Sequence, residues 1–209
     1  TATTEIYTPS LHDALPISTC LLAQETENSG SVTVLETITV EGGDDDANSI
    51  VATQTTGGSK MATDILDTPA SVSVITAKEI EERGAQNVEQ VLQYTTAVFT
   101  DFYGSDDRFD FFKIRGFDAY TYRDGLSLGS PFGGAREEPY AFERVEVLKG
   151  ANSTVSGVSD PGGSVNYVTK RPKSEKFGEF YVTGGSFDHK EVGFDFGDNL
   201  TEDDTLSYR

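Results

Sequence analysis

Two histidines, one cysteine and two short acidic runs are the residues from which a metal or nucleophilic centre would have to be built. His12 and His189 lie far apart, and Cys20 is single, which leaves no internal disulfide framework and no cysteine zinc site. Asp44–Asp46 and the pair Asp106–Asp107 lack the spaced oxygen ligands and turn glycine of a calcium loop and read as solvated acid. No Gly-x-Ser-x-Gly elbow, phosphate-cradling GxxxxGK[ST] or histidine triad occurs. An enzyme and a resident metal are therefore not expected. The chemistry left is binding chemistry, carried by tyrosines, phenylalanines, arginines and one isolated strand-forming run, ETITV at Glu36–Val40. Backbone N–H and C=O groups require partners. This run is either a chance β-prone stretch or a strand completed by another protein.

The 209 residues carry 16 Lys+Arg against 35 Asp+Glu, a formal charge of −19. That balance opposes general affinity for nucleic acid or an anionic membrane face. No window approaches the ~18 apolar residues of a membrane helix, but spanning β-strands alternate and are not excluded by this. Residues 1–23 are set apart from the fold. TPSLHDALPIS from Thr8 resembles a translated sequencing adapter, and TCLLAQETEN resembles the end of a secretory signal with Ala23 at the cleavage site. Cys20 also leaves a lipid-attachment reading open.

Residues 24–66 are rich in Thr, Ser, Gly, Asp and Glu and read as a flexible tail. From Asp67 the pattern becomes that of a folded α+β domain with a small mixed sheet and short helices, over 67–172. TPASVSVIT predicts a turn and a strand. Thr76 with Glu79 and Gly84 brackets one helix, and Val88, Val91 and Leu92 mark one face of a second. FFKIRGF reads as a strand, and Asp124-Gly125 in TYRDGLSL as a hairpin turn. PYAFERVEVLKG presents Val145, Val147 and Leu148 as its apolar positions, and PGGSVNYVTKRP is a turn followed by a strand. Over 173–209 the beat changes. Phe180 and Val182, then Val192, Phe194 and Phe196, then Leu206 and Tyr208 alternate with polar or small residues, as in a membrane β-barrel. Two or three such strands cannot close a barrel, so the expectation is the beginning of a truncated transmembrane one.

The ordered set ETITV, DTPASVSVITAKEI, IRGF, RDGL, ERVEVLKG, SDPGGSVNYVTKRP and GSFD resembles the TonB-dependent siderophore receptors of the Gram-negative outer membrane, over about Leu35–Arg209. The resemblance implies a plug domain seated in a large barrel, with the plug and tail accessible from the periplasm. It implies active uptake of a ferric siderophore as transported ligand, with no cofactor. Receptors for cobalamin or an oligosaccharide, or a soluble plug-like module, remain alternatives. Two departures stand out: Ala151 replaces a common Pro, and Val155-Ser156-Gly157 replaces a common LYG triplet.

By the same resemblance, Glu36, Thr37, Ile38, Thr39 and Val40 form the coupling box, adding as a strand to TonB, which its inner-membrane complex energises. Tyr103, Tyr120, Tyr122, Arg123 and Phe132 fall where the family's loops meet the siderophore, although each tyrosine could equally pack against the barrel wall. Arg115 and Lys149 correspond to plug cations that latch onto barrel glutamates; Lys149 also reads as a solvated strand end. Outer-membrane lipid is expected around the barrel. The short stretch ahead of the box leaves no room for a separate signalling domain.

Overall fold

A computed structural model describes residues 48–104, 108–129, 136–157, 159–173, 175–201 and 205–209. The coupling box and Phe132 lie outside them. Elements run in the order β1 (Gln54–Thr55), β2 (Thr63–Asp64), β3 (Ser71–Thr76), α1 (Ala77–Arg83), α2 (Val88–Leu92), β4 (Val98–Thr100), β5 (Phe112–Ile114), β6 (Phe117–Asp118), β7 (Tyr120–Arg123), β8 (Leu126–Gly129), β9 (Phe142–Lys149), α3 (Ser153–Ser156), β10 (Gly163–Thr169), β11 (Phe177–Gly184), β12 (Lys190–Asn199) and β13 (Ser207–Tyr208).

The central sheet has the order β3-β9-β10-β7-β8. It is mixed: β10 runs parallel to β7 and antiparallel to β9. One face carries Val145, Val147, Val165 and Tyr167 against Val88, Val91, Leu92, Phe112 and Ile114, all buried in one core. Phe142 stacks on Tyr167 at 4.9 Å. The helices that cover this face begin where their sequences specify. The Thr76 hydroxyl accepts from Glu79 N and Gly84 closes α1 in the left-handed conformation; the Asn87 side chain caps α2.

Two expectations need correction. FFKIRGF is two strands rather than one, β5 and β6, folded back at Arg115 (φ 52) and Gly116 (φ 84). Consecutive positive φ values make a tight hairpin turn, which glycine tolerates and arginine adopts only when its surroundings impose it. Within residues 48–66, read as tail, the structure instead forms two short strands and holds Thr56 and Gly57 against the central sheet. β1 and β2 pair as a small ribbon, and Thr55 is buried. Their hold is polar: Thr56 donates through N and Oγ1 to Glu146 at 2.9 and 2.7 Å, and Asn152 Nδ2 donates to Gly57 O at 3.3 Å.

The remaining three strands form an antiparallel sheet in the order β11-β12-β13. Phe180, Val182, Val192, Phe194 and Phe196 all point outward and are more than half exposed, while Gly193, Asp195 and Gly197 face inward and are buried. An apolar outer face over a polar inner one is the alternation of a lipid-facing barrel wall.

Candidate functional site

Three groups of side chains could take part in binding or coupling. The first is the cation pair of Arg115 and Lys149. The Lys149 ammonium donates to Ser73 Oγ at 2.7 Å and Thr96 Oγ1 at 2.6 Å. The Arg115 guanidinium lies close to Gly150, where an added Cβ would be 3.2 Å from its Nη1. Burial, and then the neighbouring Arg115 charge, push the Lys149 ammonium below its usual range. Neither cation meets a carboxylate among the described residues, so the structure brings the two together and leaves their charge uncompensated there.

The second group is aromatic. Tyr103 is exposed and meets Phe111 edge-on at 4.6 Å and Phe102 at 4.7 Å; Phe99 stacks on Phe102 and Phe109 adjoins Phe111. Rings in this arrangement offer broad, stiff contact area. The group is tied to its scaffold by acids. Phe111 N donates to Glu89 Oε1 at 2.7 Å, and Asp110 accepts from Glu137 N at 3.0 Å and from Arg136 Nε at 3.4 Å. Burial pushes both the Glu89 and Asp110 carboxyls above their ordinary values. Arg123 joins the network through Glu137, with Nη2 at 2.6 and 2.5 Å from its two oxygens. Tyr103 and Arg123 thus belong to one connected surface. Tyr120 and Tyr122 sit within strand β7. Tyr120 is half-buried, and Tyr122 is only 5% exposed, its hydroxyl donating to Ser156 O at 3.4 Å.

The third group was not singled out by sequence. Glu146 is 1% exposed in the central strand and accepts from Thr56 N, Thr56 Oγ1, Arg144 Nε at 2.9 Å and Asn166 Nδ2 at 3.2 Å. The alternation of β9 placed it on a polar face; only the packing of residues 55–57 over that face makes it a buried clasp. No group of three or more metal-ligating residues occurs among the described residues.

The family model for the TonB-dependent receptor plug domain matches residues 64–164. The chain belongs to the TonB-dependent receptors. It is 37% identical over 169 residues to the ferrichrome outer membrane transporter/phage receptor of Escherichia coli K12, across 78% of this chain and 23% of that protein. To the metal-pseudopaline receptor of Pseudomonas aeruginosa it is 32% identical over 198 residues, 93% of this chain and 28% of the relative. Among solved structures, the alcaligin outer-membrane receptor of Bordetella pertussis superposes with a TM-score of 0.67 at 25% identity, over 77% of this chain and 28% of that one. The chain therefore spans about a quarter of the length of the relatives it matches. Within the receptor fold, the five-stranded sheet with its helices is the plug, and β11–β13 are strands of the barrel wall.

Proposed function

We propose that the chain is the plug and first wall portion of an outer-membrane receptor that takes up ferric siderophores with energy delivered by TonB. The observation that carries this reading is the 37% identity with a ferrichrome transporter across most of the chain. In this reading Glu36–Val40 adds as a strand to TonB, where backbone hydrogen bonds supply affinity and alternate side chains supply register. The aromatic surface around Tyr103, with Arg123 tied to it through Glu137, contributes to holding the siderophore, whose own oxygens bind the iron; Phe132, outside the described residues, is assigned the same role by family resemblance alone. Arg115 and Lys149 latch onto carboxylates of the barrel, which would relieve the charge crowding between them. A second reading, uptake of a metallophore carrying another metal, is favoured by the likeness to the metal-pseudopaline receptor across 93% of this chain.

The full-length receptor, titrated with a panel of iron-loaded siderophores and with metal-loaded metallophores, separates the two readings. Tight binding of a ferric siderophore supports the first, and preference for a non-ferric complex replaces it with the second. In cells, Ile38→Pro should abolish uptake and leave binding intact, because proline cannot donate to an added strand. Unchanged uptake would remove the coupling role of the box.

A further inference from the structure

The plug and the wall are joined by more than the connecting residues 170–176. Asp195, inward-facing on β12 and 9% exposed, accepts Lys170 Nζ at 3.1 Å, Arg209 Nε at 2.8 Å and Arg209 Nη2 at 2.5 Å. Arg209 also donates through Nη1 to Arg171 O at 2.9 Å. Lys170 sits 3.9 Å above the Tyr140 ring, and Lys170 N donates to Ala141 O at 3.0 Å. Tyr140 in turn rests on Tyr181 at 4.7 Å. The Tyr181 ring lies across Gly193 so closely that a Cβ there would collide with it, so the wall glycine makes room for the contact.

We propose that Asp195 is a positioning residue that pins the carboxyl-terminal edge of the plug to the wall, and that this seam stays closed while the rest of the plug moves. One carboxylate serves a plug cation and a wall cation together. Withdrawing Lys170 would leave Asp195 to Arg209 alone and strip the lysine of both its carboxylate and its aromatic face. At the opposite end of the same sheet, Lys149 meets two hydroxyls and no carboxylate among the described residues. The proposal rests on the transport reading above, and its test keeps the two apart.

In the full-length receptor, Tyr140→Cys with Tyr181→Cys can be joined by a short bis-maleimide and uptake followed with radio-iron-loaded ferrichrome, ferrioxamine B and pyoverdine. Cross-linked and unlinked forms should transport equally. If the unlinked form and the wild type transport none of the three, the transport reading fails; if the unlinked form transports and the link stops it, the closed seam is overturned. A second measurement needs no uptake. Trypsin cleavage at Lys173 and Lys176 in the purified receptor should quicken about tenfold in Asp195→Asn and in Lys170→Gln, with the double variant no faster than either single and Asp195→Glu near wild type. Unchanged cleavage, or effects of the singles that multiply, would show that Asp195 and Lys170 do not act as a pair.

Discussion

Lys149 and Lys170 stand at opposite ends of the plug sheet, one closing β9 and the other following β10, and they solve the same problem differently. Lys170 is neutralised by a carboxylate and backed by an aromatic face. Lys149 is solvated by two hydroxyls and crowded by Arg115, and burial lowers its affinity for a proton. The wall supplies the partner of the first; no described residue supplies one for the second. Among the described residues, then, one plug lysine is anchored by a carboxylate of the wall and the other is held by hydroxyls of its own domain.

The largest effect tests the scale of that contrast. Glu146 has all four donors among residues 56, 144 and 166, so Glu146→Ala sets the cost of losing a fully enclosed carboxylate and leaving Arg144 to Glu143 alone, about 3 kcal/mol. The denaturant midpoint of the chain in detergent should fall accordingly, and residues 48–66 should become protease-sensitive. A loss below that of Asp195→Ala would show that the clasp on Thr56 is peripheral. Asp195→Ala, whose site is open on one side, should cost less, about 1.5 to 3 kcal/mol for hydrogen bonds to a charged group, read by the same midpoint. The contrast breaks if Lys149→Gln destabilises more than Asp195→Ala.

The smallest effect has a pH signature. The folded pKa of Lys149 lies below 10.5, its ordinary value. Below the folded pKa the ammonium is charged in both states and the fold carries the penalty. As pH rises from there toward 10.5, the unfolded chain binds more proton than the folded one, so stability increases. Lys149→Gln should remove this alkaline gain and change stability near pH 7 by less than about 1 kcal/mol. Thermal unfolding midpoints of the two proteins between pH 7 and 10.5 check it; parallel curves would place the desolvation elsewhere.

What could be read from sequence follows from which force does the positioning. β3, α1 and α2 were legible because caps and apolar spacing are local: Thr76, Glu79 and Gly84 bound one helix, and Val88, Val91 and Leu92 face the core. The wall strands were legible for the same reason, since Phe180, Val182 and Phe194 announce an apolar outer face by alternation alone. Contacts between distant polar residues were not. Residues 48–66 have few large apolar side chains and so read as tail, yet Thr56 is held by a glutamate far along the chain. Asp195 read only as an inward polar position, because nothing near it in sequence names Lys170 as its partner. The turn at Arg115-Gly116 was missed because an arginine at positive φ has no local signature. Tyr122, an aromatic in a binding-prone stretch, is buried by its strand.

The register of the plug sheet bears on how it comes to exist. Among the described residues β3 is an edge strand paired to β9 alone, and Val74 pairs with Glu146, 72 residues downstream. Closing so long a loop is slow compared with forming a local hairpin. As the domain folds, then, α1 and α2 form early while β3 waits with its edge unpaired until β9 follows, and an unpaired edge invites foreign strands. The late pairing of β3 leaves the folding domain open to strand exchange at that one edge.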